Sequence, residues 1–283
     1  MFEYVFYVAT LTGILSLAVL GIQIQLGRIG LLNLGHIALF GMGAYVCMSL
    51  YNGGLSLAAC LAAGLLQGAV IGTLLMVLGN PLKPEVFSLA SFGFLEAVQS
   101  LAMYLKGITG GASGLVLANQ PGVSVGSLFW ISLIVSLMVF YGIVSGLARS
   151  KVGLVWHGIK EREVLAQSLG FATYKYKLLV AGVAGGCSGL AGAFLGIFVS
   201  YVDPSIFSVT YLIQQLTMAT VSGIGSIGNT LLGAFSLTGV TEGLRFLPIS
   251  SGYMGPLRQL FYALMLLAIL AFGARLAFKR NIE

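Results

Sequence analysis

Long apolar runs separated by short polar turns occupy almost the whole chain. They fall at about residues 4–26, 31–50, 55–78, 86–105, 127–148, 178–201, 208–222, 230–247 and 257–275. A membrane-spanning helix needs about 20 mainly apolar residues, so 208–222 and 230–247 are short for spans. Pro81, Pro84 and Pro204 mark breaks between runs. The pattern predicts an all-α, polytopic transmembrane helical bundle of about 8–10 spans, built as one domain over residues 1–283. The first segment, MFEYVFYVATLTG, carries Glu3 and no basic cluster, and reads as a first span rather than a cleaved signal peptide.

Two segments depart from plain spanning helix. GRIGLLNLGHIALFGMGAY (27–45) places five glycines, Asn33 and His36 in an otherwise apolar run, and VSGIGSIGN (221–229) places three glycines. Both predict broken or re-entrant backbone, which a bilayer tolerates only where protein buries it or water fills a cavity beside it. Gly64, Gly68 and Gly72, with the Gly182/Gly186 and Gly185/Gly189 pairs, repeat the Gly-x-x-x-Gly spacing of close helix packing, within one subunit or against a second.

Composition agrees with a lipid solvent: 58% of residues are apolar and 8% charged, against roughly 25% charged in a soluble domain. The net charge of +6 is therefore a topology signal and not a nucleic-acid one. Cys47, Cys60 and Cys187 all lie in apolar segments without Cys-x-x-Cys spacing, which predicts buried packing and no metal site.

Only one long stretch is polar, RSKVGLVWHGIKEREVLAQSLGFATYKYK (149–177), and it holds six of the fourteen Lys and Arg residues. If it is cytoplasmic, nine spans put the N-terminus outside and the C-terminus inside. Eleven of the fourteen basic residues then face the cytoplasm, leaving Lys106, Arg245 and Arg258 outside. Residues 159–169 predict a short helix with Gly170 as its stop. Lys160, Glu161, Arg162 and Glu163 supply charge, while Leu165, Ala166 and Leu169 offer apolar knobs. Such a helix lies in lipid headgroups or docks into a protein groove.

Polar side chains at membrane depth are the candidates for a translocation pathway: Asn33, His36, Glu96, Gln99, Gln214, Gln215 and Glu242. Structural pairing competes with that role, above all for the carboxylates. Arg245 stands three residues beyond Glu242 on the same helix face. For His36 a helix-bridging or pore-lining hydrogen bond is expected. The outward loops TGGASGL (109–115) and DPSIF (203–207) are candidate landing surfaces for a binding protein. With eight acidic residues, two histidines and no His-x-x-x-His or Asp-rich cluster, the chain has no acid–base or metal constellation for catalysis. A transport subunit remains, or a stand-alone channel or secondary carrier for a small polar solute such as urea or an amide.

Four motifs narrow this choice. The stretch 150–207 carries Ser150, Gly153, Glu161, Glu163, Ala166, Leu169, Gly170, Tyr176, Lys177 and Leu178 at the spacing S-x-x-G … E-x-E-x-x-A-x-x-L-G … Y-K-L. LLNLGHIALFGMGAY (31–45), VFSLASFGFLEAVQSLAMYLKGITGGASGL (86–115) and SGIGSIGNTLLGA (222–234) follow comparable patterns in the same order. Together they resemble the permeases of ABC importers for branched-chain amino acids, and the 86–115 segment resembles the LivM type more than its LivH-like partner. Leu154 stands where that family usually has Arg, so no contact of that Arg carries over.

The resemblance implies a membrane permease that forms half of a translocation pathway with a second, LivH-like permease. Two cytoplasmic ATPase subunits would bind ATP and Mg, and an external substrate-binding protein would deliver the solute. This chain would carry no cofactor, in keeping with its lack of a G-x-x-x-x-G-K-[ST] phosphate loop. Residues 159–170 would be the coupling helix, and the location a bacterial or archaeal plasma membrane.

Overall fold

A computed structural model describes residues 2–118, 123–243 and 251–280. The chain folds as helices α1 (Phe2–Ile29), α2 (His36–Asn52), α3 (Leu57–Gly79), α4 (Pro84–Tyr104), α5 (Lys106–Thr109), α6 (Val123–Arg149), α7 (Lys151–Ser168), α8 (Thr173–Val199), α9 (Val209–Val221), α10 (Thr230–Gly243) and α11 (Ser251–Arg280). Helices α1, α3, α4 and α8 are each long and apolar enough to cross a bilayer. The polytopic all-α bundle expected from the apolar runs is what forms. The two short runs correspond to α9 and α10, with 13 and 14 residues, about 20 Å each at 1.5 Å per residue.

Local chemistry sets the ends. Ser56, in extended backbone, caps α3 by accepting the Ala59 N–H. Pro84 opens α4, where its missing N–H removes no helical bond. Helix α8 closes at Ser200, whose φ of 58° ends the ladder.

Helix α8 is the axis of the core. Without a hydrophobic drive between spans in lipid, cohesion comes from close van der Waals fit. Small residues on α8 allow backbones to touch. A Cβ at Gly72 of α3 would stand 2.7 Å from the Ala181 carbonyl oxygen, and one at Gly68 would overlap the Gly185 carbonyl. On its other side, a Cβ at Gly192 would overlap the backbone of Phe40 in α2. The Gly-x-x-x-Gly faces of α3 and α8 are therefore spent inside this subunit.

Outer faces of α3 and α4 are open, with Leu66, Val70, Leu74, Leu89 and Leu101 all exposed. Polar connections gather at two ends. At one, the segment between α1 and α2 meets α7 and the turn between α9 and α10. At the other, Leu115–Val116 and Tyr201–Val202 pair as a two-stranded antiparallel ribbon (β1 and β2). Asn52 ties that ribbon by donating to the Val116 carbonyl and accepting from the Ala118 N–H. Periodicity gave no sign of this ribbon, because two residues per strand are too few to show alternation.

One boundary differs from expectation. The polar helix does not begin at residue 159 but at Lys151, capped by Ser150 accepting the Val152 N–H, and it leaves α6 at an angle of 71°. Arg162 interrupts it with extended dihedrals, φ −154° and ψ 98°, so α7 is two limbs. Its stop is as expected: Gly170 takes φ +88°, and the Phe171 N–H reaches back to the Ala166 carbonyl.

Candidate functional site

The two limbs of α7 enclose an apolar cavity of about 680 Å³, lined by Leu154, Val155, Leu165, Ala166, Leu169 and Phe171 with Glu161 and Arg162 at its edge. Leu154 and Leu169 are each 75% exposed and Leu165 55%, in a segment rich in charge. Ala166, read from sequence as a knob, is 4% exposed and faces Gly158 across the bend. Exposed apolar contact thus rests on Leu154, Leu165 and Leu169. Sequence reasoning passed over Leu154 as a contact, since it lies outside the 159–170 segment.

Its charges anchor α7 to the bundle. Lys160 donates to the Gly27 carbonyl at the end of α1 (3.0 Å). Glu163 pairs with Lys177 at 2.6 Å and accepts from Thr173 at 3.2 Å, and Lys177 is only 7% exposed. Glu161 and Arg162 remain exposed.

Beside this element the two glycine-rich breaks meet. Gln23 donates to the Ala219 carbonyl (2.8 Å) and to Ser222 (2.7 Å), and its Oε1 accepts the Gly225 N–H. A Cβ at Gly27 would overlap the Gly225 backbone, and Gly225 has φ +86°, so Gly27 has no room for a side chain and Gly225 holds a conformation that side chains disfavour. The break between α1 and α2 is held by Gly30 at φ +72° and by Ser88, which donates to the Leu32 carbonyl at 2.8 Å. Asn33 lies buried there and donates to Gln25.

At the opposite end, α1, α8, α9, α10 and α11 surround a polar cavity of about 430 Å³. Glu242 and Gln214, two of the predicted pathway residues, line it. The expected partner Arg245 lies outside the described residues; among the described ones, Arg258 of α11 approaches Glu242 at 3.6 Å. Tyr4 donates to the same carboxylate at 2.9 Å. Asp203 also lines the cavity, its Oδ1 accepting the Ser205 N–H at 2.8 Å. Neither Arg258 nor Asp203 was among the pathway candidates; Asp203 stood in the outward loop 203–207. The available signal for Arg258 was its place as one of few basic residues on the outward side.

The other candidates go elsewhere. His36 bridges helices: its Nε2 lies 2.9 Å from the Ala18 carbonyl, and Ser188 donates to the His36 backbone carbonyl at 2.8 Å. Gln215 is buried, with neither side-chain polar atom partnered among the described residues. Glu96 is exposed on the outer face of α4, and Gln99 is half-buried beside it. The seven residues therefore do not converge within one chain. The two outer loops do come together: Gly114 packs on the Val202 carbonyl, and Tyr201 donates to the Ser113 carbonyl at 3.2 Å.

Residues 4–270 match the family described as "Branched-chain amino acid transport system / permease component". The chain is 25% identical over 268 residues to the LivM permease protein of the high-affinity branched-chain amino acid transport system of Escherichia coli, covering 84% of this chain and 63% of that protein. It thus spans less than two thirds of the length of that relative. The corresponding BraD protein of Pseudomonas aeruginosa is 23% identical, with 80% of each chain covered. The LivH protein of Escherichia coli is 21% identical over 99% of this chain and 96% of that one. No solved structure matches. The match across nearly all of this bundle makes the chain a member of the permease-component family of branched-chain amino acid transport systems.

Proposed function

We propose that the chain is one permease half of an ABC importer for amino acids with apolar side chains. The observation that carries this reading is the apolar cavity in the bend of α7, set in the most charged segment of a membrane protein of the branched-chain permease family. A passive surface helix would turn Leu154, Leu165 and Leu169 toward lipid tails. Here they line a concave cavity that fits a protruding segment of another protein. The occupant is a cytoplasmic ATPase subunit, which binds ATP and Mg. That end of the bundle is then cytoplasmic, the N-terminus is outside and the C-terminus inside.

Transmission needs a rigid, bistable element rather than a catalytic group. Helix α7 is fixed to α1 through Lys160 and to α8 through Glu163, and α1 holds the α9–α10 turn through Gln23. Displacement of α7 therefore reaches both glycine-rich breaks. A carboxylate facing lipid at mid-helix costs about 2.5–3.5 kcal/mol, so the exposed Glu96 face of α4 meets a second permease and borders the pathway with Gln99. The joined outer loops receive the substrate-binding protein.

The test is purification in mild detergent followed by reconstitution. ATPase subunits co-purify, and proteoliposomes containing the four-subunit assembly and binding protein take up leucine only with ATP. Uptake by this chain alone, without ATPase partners, would instead establish a stand-alone carrier.

A further inference from the structure

We propose that the polar cavity among α1, α8, α9, α10 and α11 is a binding site for a single zwitterionic α-amino acid with an apolar side chain, contained within one permease subunit. The inference rests on the transport reading for its choice of solute class, but its geometry is independent of the α7 end.

The cavity volume, about 430 Å³, lies within the range of about 300–1,000 Å³ usual for small-molecule sites. Charges of both signs enter it from three separate elements: Arg258 from α11, Glu242 from α10, and Asp203 from the segment after β2. Burying charged groups is costly unless a partner or a ligand uses them.

Arg258 is incompletely satisfied. Its contact with Glu242 is 3.6 Å, beyond the roughly 2.7–2.9 Å of a charge-assisted hydrogen bond. Its buried Nε has no hydrogen-bond partner among the described residues. A guanidinium offers a planar fork of donors, which an α-carboxylate fits in bidentate fashion. Glu242 is not stranded when Arg258 turns to a ligand, because Tyr4 already donates to it at 2.9 Å.

The α-ammonium finds its counter-charge at Asp203, which is half-exposed and uses Oδ1 to cap the turn that follows. Between these poles the wall is apolar, formed by Leu11, Leu195 and Ile206. Among the described lining residues, one cation and two anions sum to −1, and a zwitterion does not change that sum. A carboxylate without an ammonium would meet that negative balance, and an amine without a carboxylate would leave Arg258 unsatisfied.

The experiment uses the full chain in lipid nanodiscs, with saturation binding of radiolabelled L-leucine. Competition by 4-methylpentanoate and by isoamylamine separates the two poles. Leucine should bind saturably, with either analogue at least tenfold weaker. Arg258→Gln and Asp203→Asn should each weaken leucine at least tenfold. Because Arg258→Gln also breaks the contact with Glu242, Leu11→Trp is tested beside it: it fills the cavity, leaves every charge in place, and should abolish binding without lowering the melting temperature.

Absence of saturable leucine binding overturns the proposal. So does unchanged affinity in both Arg258→Gln and Leu11→Trp, or isoamylamine binding as tightly as leucine, which would make this a cation site. If the four-subunit assembly takes up leucine with ATP while the isolated chain binds none, the cavity proposal falls and the importer reading stands. If Arg258-dependent binding is found without ATP-driven uptake, the importer reading falls and the site stands.

Discussion

Lys160 and Gly27 are 133 positions apart, yet the Lys160 ammonium donates to the Gly27 carbonyl at 3.0 Å. Gly27 also packs on the Gly225 backbone, so one short segment of α1 joins α7 to the turn between α9 and α10. Lys160→Met keeps the stem and removes the donor. A hydrogen bond from a charged group contributes about 1.5–3 kcal/mol, and partial exposure places this one at or below the low end. The expected outcome is an assembly that forms normally and hydrolyses ATP, with leucine uptake per ATP reduced at least threefold. Equal coupling ratios in the two proteins would show that this link transmits nothing.

Leu165→Ser and Leu169→Ser should sharply reduce co-purification of ATPase subunits with little change in the chain's own melting temperature, since both side chains are mostly exposed. Ala166→Trp should act differently. Ala166 is buried against Gly158, so the indole must force the limbs of α7 apart, and the melting temperature should fall along with partner binding. Thermal unfolding and quantitative co-purification on all three variants separate the two effects.

The Glu163–Lys177 pair should be structural. Lys177 is 7% exposed and Glu163 33%, so Glu163→Gln leaves a nearly buried ammonium with a neutral partner. Removing one member of a fully buried pair costs about 3–5 kcal/mol, and the partly exposed carboxylate lowers this to about 1–3 kcal/mol. The charge-exchanged double variant Glu163→Lys/Lys177→Glu should recover at least half of the lost melting temperature. No recovery would mean that the hydrogen bond with Thr173, rather than the charge pair, sets the geometry.

Gly68→Ala and Gly93→Ala offer a paired test of close packing. A methyl at Gly68 would overlap the Gly185 carbonyl, whereas one at Gly93 meets nothing within 4 Å. Overpacking of a tight interface costs about 1–3 kcal/mol. Gly68→Ala should lower the melting temperature and the yield of monodisperse protein, while Gly93→Ala leaves both unchanged in the isolated chain. If Gly93→Ala disturbs only the complete assembly, the outer face of α4 is a subunit contact.

Helix positions, the two glycine-rich breaks, the Gly170 stop and the family were all legible in the sequence, while four of the described helices are long and apolar enough to be spans on their own. Each depends on residues close in the chain: apolar run length against bilayer thickness, a positive-φ glycine after a helix, motifs in fixed order. Local pattern also placed Glu242 and Gln214 at membrane depth. It paired Glu242 with Arg245, which lies outside the described residues; the described partners Arg258 and Tyr4 come from other helices, which periodicity does not relate.

What the tertiary structure alone decided was which distant groups meet. It brought Arg258 to Glu242, Lys160 to Gly27, and the two glycine-rich breaks to each other. It sent His36 into a helix-bridging bond and turned Ala166 inward while Leu154 lines the α7 cavity. Hydrophobicity specifies that a helix lies in the bilayer but says little about its rotation, since lipid tails are as apolar as a neighbouring helix. Rotation is settled by steric fit between backbones, as where α3 and α8 touch through glycine, and that fit exists only once the helices are assembled.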